Sequence, residues 1–223
     1  MNSKVRKILR SIAFKTPLRN YVTYMYYCGF TVPQLFFLCQ CVEQVREVEG
    51  AIAEVGCAQG HTTVFINKYM DAQKIDKKYY AVDTFSGFVP EDLAYEVSKR
   101  QKKLSMYRDT VFQLNTKKWF DYTMNRNGIR RVVSIQTDVN NYDLMTLGPL
   151  SFVLLDVDLY RPMKKSLPEL YEALTPNGMM IVDDCDGTNT KWDGSDQAYK
   201  EFVNEMRLPV QVVHDKLGVV RKS

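Results

Sequence analysis

Histidine is nearly absent from this chain. Its 223 residues include two histidines, two tryptophans and five cysteines. His61 and His214 lie far apart, and Cys28, Cys39, Cys41, Cys57 and Cys185 have neither the paired spacing of a zinc site nor the density of a disulfide scaffold. That scarcity argues against zinc chemistry and a stapled secreted fold, and a reducing, cytoplasmic compartment is the expectation. Long apolar runs are lacking too. The greasiest stretch, 21–42, is broken by Gly29, Thr31, Pro33, Gln34 and Gln40, so it predicts a buried helical pair rather than a membrane span. The basic opening with Lys4, Arg6, Lys7 and Arg10 leads into an apolar run cut by Lys15, Pro17 and Arg19, which is not a signal-peptide core. With a net charge of only +4 and basic residues spread along the chain, no nucleic-acid footprint is evident. The expected partner is a small molecule or a glycan.

What is present suits one ordinary α/β domain: 45% hydrophobic and 25% charged residues. From Gly50 onward, β-branched runs at 51–55, 79–82, 132–136, 152–155, 179–182, 210–213 and 217–220 alternate with helix-like stretches. This predicts a doubly wound α/β fold, a seven-stranded, mostly parallel sheet with helices on both faces. The last two strands form an antiparallel hairpin turning at His214, Asp215 and Lys216. The polar excursion 86–131, with Leu93, Val97, Leu104, Val111, Phe112 and Leu114 as its spaced apolar residues, reads as helical insertion or lid. A helix over 163–174 aligns Met163, Leu167, Leu170 and Leu174, with Pro168 expected to kink or divide it. The boundary falls at 49/50: residues 50–223 are the α/β domain, and 1–49 a helical segment supplying lid, substrate or homo-oligomer contacts. Within that segment Val5, Ile8, Leu9 and Ile12 share a helical face, expected to pack on its own domain, with a basic segment lying on a membrane surface as the alternative. The aromatics Tyr24, Tyr26, Tyr27, Phe36 and Phe37 read as core or dimer interface.

Two patterns carry chemistry. In the first, strand 51–55 ends at Gly56, and Gly60 follows at the start of a helix-like stretch. Glycine permits a tight bend and a close backbone approach to a ligand, and Gly60 lets the helix begin against the strand. Asp83 ends the next strand, where a carboxylate can accept both hydroxyls of a ribose. In the second, Asp156 and Asp158 follow one apolar strand, while Asp183 and Asp184 follow another. An aspartate after a strand is commonly a turn cap, but in a parallel sheet these four converge on the rim that holds Gly56 and Asp83. Crowded carboxylates require protons or a cation, and an all-oxygen set suits magnesium, manganese or calcium. A bound divalent ion lowers the pKa of a coordinated hydroxyl, and a remaining aspartate can take the proton.

Glu54-x-Gly56-x-x-x-Gly60 with Asp83 resembles the cofactor signature of class I S-adenosylmethionine-dependent methyltransferases, whose sheet is Rossmann-like. More narrowly, Val82-Asp83-Thr84-Phe85-Ser86-Gly87-Phe88, Leu155-Asp156-Val157-Asp158-Leu159-Tyr160 and Ile181-Val182-Asp183-Asp184 resemble the macrocin O-methyltransferase family, whose members methylate sugar hydroxyls. The likeness runs over 51–207, with departures at Gln59, His61 and Thr62. It implies that Glu54, Gly56, Gly60 and Asp83 line S-adenosylmethionine, with Asp83 on the ribose and Asp138 near the adenine. It also implies metal ligation, most simply of Mg2+, by Asp156, Asp183 and Asp184, with Asp158 as base. The assignment between ligand and base stays open, and Asp156 belongs to the catalytic pair in either case. Three rivals are weighed against this reading. Asp156-Val157-Asp158 also fits a metal-dependent D-x-D glycosyltransferase. A nicotinamide enzyme lacks its third glycine. A non-catalytic protein keeping the fold would not require the full set of aspartates. Trp192, in the polar loop after the paired aspartates, is a candidate acceptor contact.

Overall fold

The chain's computed structural model describes residues 3–22, 28–108, 112 and 115–223. Among these, five strands run parallel to their neighbours: β1 (Ala51–Val55), β2 (Tyr79–Asp83), β3 (Val132–Gln136), β4 (Leu150–Leu155) and β5 (Leu174–Val182). A terminal hairpin of β6 (Val212–Val213) and β7 (Leu217–Arg221) joins antiparallel to β5. The sheet order is β3-β2-β1-β4-β5-β7-β6. The order reverses between β1 and β4, and it is beyond the strand ends at such a reversal that a crevice opens.

Side-chain alternation divides the core into two layers. Ala53, Val55, Val153, Leu155, Met180 and Val182 pack against α7 (Tyr160–Ala173) and α8 (Asp193–Glu205). Ile52, Phe152, Leu154, Met179 and Ile181 pack on the other face against α3 (Val32–Gln44) and α4 (His61–Gln73). Because both faces are covered, the central strands read as unbroken apolar runs. The helix expected to kink or divide at Pro168 is not divided, running from Tyr160 to Ala173, and Leu174, assigned to its face, instead opens β5. Proline removes one hydrogen bond there, while Met163, Leu167 and Leu170, all fully buried, hold the helix to the sheet on both sides of it.

The excursion after β2 forms α5 (Pro90–Arg100), a short 3-10 turn (Leu104–Tyr107) and α6 (Lys117–Arg126). Its apolar markers mislead. Val97 and Leu104 are exposed, while the residues α5 buries are Asp92 and Glu96. Glu96 accepts from the Tyr160 backbone N–H at 2.9 Å and from Arg100 Nε at 2.8 Å, and Arg100 reaches Asp193 at 2.6 Å, so ionic contacts tie α5 to the starts of α7 and α8. Val111 and Leu114 lie outside the described residues, as do Tyr24, Tyr26 and Tyr27.

At the N-terminal side, α1 (Ser3–Phe14) is followed by α2 (Arg19–Val22). The expectation that α1 packs on its own domain is not met, since none of its residues is buried. Of the helical pair expected over 21–42, α3 is the member buried on the sheet, through Leu35, Leu38, Cys39, Cys41 and Val42. Phe36 points away from that contact and is exposed, whereas Phe37 packs beside the core with its ring 4.9 Å from that of His214. No described helix is long and apolar enough to cross a membrane.

Candidate active site

The parallel ladder continues one residue past the strand ends and lines up the rim. Gly56 N–H donates to Val82 C=O, Asp156 N–H to Val55 C=O and Asp183 N–H to Leu155 C=O, at 2.8, 2.8 and 2.9 Å. Gly56, Asp83, Asp156 and Asp183 thus leave four adjacent strands at one level. The turns beyond are tight: Ala58, Phe85, Asp158 and Asp184 all have positive φ. For a bulky residue such as Phe85 this is a costly conformation, of the kind that clusters at ligand sites.

The two glycines are required for reasons the sequence did not show. At Gly56, φ is 88°, and a Cβ would lie 1.7 Å from the backbone oxygen of Asp156. The close approach that excludes a side chain is therefore to the neighbouring strand. At Gly60, φ is 83°, and a Cβ would meet Met124 Cε at 2.6 Å and Phe120 Cε2 at 2.8 Å, so this glycine makes room for α6.

Three carboxylates stand along the turn. Glu54 is buried, and its Oε2 accepts from Thr63 Oγ1 at 2.6 Å and from the Tyr79 hydroxyl at 2.7 Å. Burial, only partly offset by those two donors, pushes its carboxyl up to about 7. Asp83 accepts the Ala58 N–H on Oδ2 at 2.8 Å and the Phe85 N–H on Oδ1 at 2.7 Å, so it also braces the glycine turn. Burial raises its carboxyl and these backbone donors oppose the rise. Asp138 follows β3 and caps its own loop, accepting from Asn140 N at 2.9 Å and Asn141 Nδ2 at 2.8 Å. Asn115, which the sequence reading passed over, is buried beside this turn and donates to Ala58 C=O at 2.6 Å.

Of the four aspartates on the central strands, Asp156, Asp158 and Asp184 each present an oxygen within 4.8 Å of the others. Asp183 is turned to Lys216, whose Nζ lies 2.7 Å from its Oδ2 and 3.3 Å from Asp184 Oδ1. Burial, reinforced by the neighbouring carboxylates, holds the Asp156 and Asp158 carboxyls well above the usual range. Burial lifts Asp183 to about 6 against the pull of Lys216. Burial opposes the charge on Lys216, yet Asp183, Asp184 and Asp156 outweigh it and keep the ammonium above its ordinary range. Lys216 was read from sequence only as a turn residue. It reaches the site because β7 lies beside β5, a pairing that no local signal at Lys216 announces.

The donor set suits a hard cation: three clustered carboxylates with no histidine or thiolate among them, and Asp183 Oδ1 buried nearby without a hydrogen-bond partner. Two cavities meet at this cluster. One is lined by Asp83, Thr84, Phe88, Asp138 and Val139, the other by Glu54, His61, Asp183, Asp184 and Trp192, and both include Gly56, Ala58, Asp156 and Asp158. Phe88 of the first cavity, Trp192 of the second and Phe112 of both join Tyr107 in one aromatic group, with neighbouring ring centroids 5.4 to 6.2 Å apart. Burial lowers the His61 imidazole pKa, which favours its neutral form.

The sequence profile of the macrocin-O-methyltransferase (TylF) family matches residues 32–222. The chain belongs to this family. It is an S-adenosylmethionine-dependent O-methyltransferase. Solved methyltransferase structures share its fold. The O-methyltransferase NovP is 17% identical with a TM-score of 0.76, over 89% of this chain and 83% of NovP. The calicheamicin methyltransferase CalS11 is 18% identical with a TM-score of 0.67, over 99% of this chain and 94% of CalS11. A methyltransferase from Streptococcus mutans, solved with S-adenosylhomocysteine, is 13% identical with a TM-score of 0.54, covering 89% and 100%. No curated protein matches the chain in sequence. The family match takes in α3 as well as the sheet.

Proposed function

We propose that this O-methyltransferase methylates a hydroxyl of a sugar or glycosylated small molecule, assisted by a divalent cation such as Mg2+, in the cytoplasm. The observation that carries the reading is the meeting of two cavities at Asp156 and Asp158. The cavity with Asp83 and Asp138 takes the nucleoside end of S-adenosylmethionine, with Glu54, Gly56 and Gly60 shaping the turn beside it. The cavity with Trp192 takes the acceptor. Asp156, Asp158 and Asp184 are the geometric ligand set, while Asp156, Asp183 and Asp184 with Asp158 as base is the set that the family resemblance favours. When bound, S-adenosylmethionine supplies an activated methyl group, and a divalent cation lowers the pKa of an oxygen it touches. Asp158 is placed to take the acceptor's proton, because it lines both cavities where they meet.

A saccharide acceptor is supported by the aromatic group around Trp192, which offers flat apolar faces beside the carboxylates. CalS11 is itself described as a TDP-rhamnose 3'-O-methyltransferase. In this reading residues 50–223 are the catalytic domain, and the segment 1–49 supplies Gly29 and Phe30 to the acceptor cavity. The five cysteines, all unpaired, support the cytoplasmic assignment.

Titration calorimetry with S-adenosylmethionine and S-adenosylhomocysteine, with and without Mg2+ and with UDP-sugars as controls, tests the donor. Methyl transfer to a panel of hydroxylated glycans, in Mg2+ and in chelator, tests the rest. Saturable donor binding, and turnover on a sugar hydroxyl that chelator abolishes, is the expected result. Full turnover in chelator removes the metal, and turnover confined to non-sugar phenols removes the saccharide.

A further inference from the structure

We propose that α1 docks the protein on anionic membrane surfaces. The helix has two unlike sides. Val5, Ile8, Leu9 and Ile12 share one face by helical spacing and are each between 45% and 59% exposed. Arg6, Lys7 and Arg10 occupy the opposite side. Phe14, the last residue of the helix, and Leu18 beyond it are exposed as well. A face this apolar left in water is unusual, and none of its residues is buried against the described sheet and helices.

Charge identifies the occupant. Lys4, Arg6, Lys7, Arg10, Lys15 and Arg19 all precede Glu43, the first acidic residue of the chain. A second copy of this chain brings the same positive field to the contact and is repelled by it, whereas a bilayer containing phosphatidylserine attracts it and has an apolar interior for the four aliphatic side chains. The helix has 12 residues, too short to span a bilayer, so it lies in the headgroup plane with Val5, Ile8, Leu9 and Ile12 inward. Neither the donor crevice nor the carboxylate cluster includes α1, so docking places the enzyme at a surface without altering its site.

The test is cosedimentation of the full chain with vesicles of phosphatidylcholine alone and of phosphatidylcholine with 30 mol% phosphatidylserine. The expected result is partition onto the anionic vesicles only, weakened by salt. Each basic residue at such a surface is worth about fivefold, so Arg6→Ala with Arg10→Ala should lower partition roughly 30-fold. Ile8→Glu with Ile12→Glu should abolish it. Both variants should keep the melting temperature and S-adenosylmethionine affinity of the parent, because α1 buries no residue. No partition onto anionic vesicles, or partition that either variant leaves unchanged, would overturn the proposal. So would a concentration-dependent dimer in sedimentation that Ile8→Glu with Ile12→Glu dissolves, since that gives the face to a second copy.

Discussion

Replacing Lys216 with methionine removes the one cation that the described residues place among the rim aspartates. The ammonium lies 2.7 Å from Asp183 and 3.3 Å from Asp184, and the three side chains are 22%, 4% and 8% exposed. Methionine keeps the stem's apolar contacts and deletes the charge. Removing one partner of a buried ion pair costs about 3–5 kcal/mol, a large share of a typical ~5–15 kcal/mol stability. The loss must depend on pH. Asp183 titrates near 3.8 when unfolded and at about 6 in the fold even with Lys216 present, so folding raises its pKa. Stability from such a group is complete below the unfolded value and is lost as pH rises through the folded one. Two units correspond to roughly 3 kcal/mol. Without Lys216 the folded pKa climbs further, so the pH-dependent part of the variant's deficit is absent below about pH 6, where Asp183 is protonated in both folded proteins, and opens as pH rises above it. Urea unfolding of both proteins from pH 4.5 to pH 8 measures it. We expect a deficit of about 3 kcal/mol or more at pH 7.5 that shrinks to about 1 kcal/mol at pH 4.5. A deficit that is the same at every pH would show that Lys216 acts by packing alone and would refute the reasoning.

Glu54→Gln should stabilise the protein at alkaline pH. Folding lifts this carboxyl from 4.5 to about 7, which costs roughly 3 kcal/mol by pH 8, and an amide oxygen can still accept from Thr63 and Tyr79. Melting temperature should rise at pH 8 and stay level at pH 5, and a fall at pH 8 would mean that the charged form is the one the fold prefers. Asp158→Asn and Asp183→Asn separate the two ligand assignments: calorimetric Mg2+ binding is lost in the first variant if the geometric cluster is the site, and in the second if Asp183 is a ligand. Either way Asp158→Asn should lower methyl transfer by about 10²-fold or more while S-adenosylhomocysteine still binds. Gly56→Ala should prevent folding or cost at least about 3 kcal/mol, combining left-handed strain with a backbone clash that no rotamer relieves. Wild-type expression and melting for this variant would contradict the Gly56–Asp156 approach.

Much of the site was legible because a parallel sheet makes strand ends converge. Once Asp83, Asp156 and Asp183 are recognised as ending neighbouring strands, their meeting follows from topology, and the ladder bonds at Gly56, Asp156 and Asp183 show them level. The excursion after β2 was read less well, because the spacing of its apolar residues said nothing of Asp92 and Glu96, which are buried with partners in the loop after β3 and at the start of α7.

The sequence by itself determined the layered sheet, the glycine turn, the four aspartates and the methyl-donor family, since each rests on local periodicity or on a motif read in order along the chain. Only the tertiary structure decided that Asp183 pairs with Lys216, that Gly60 yields to Phe120 and Met124, and that α1 buries none of its residues among the described ones. Those outcomes depend on segments far apart in sequence coming within a few ångströms, and on whether a matching surface exists elsewhere in the fold. Neither is a property of any local stretch of residues.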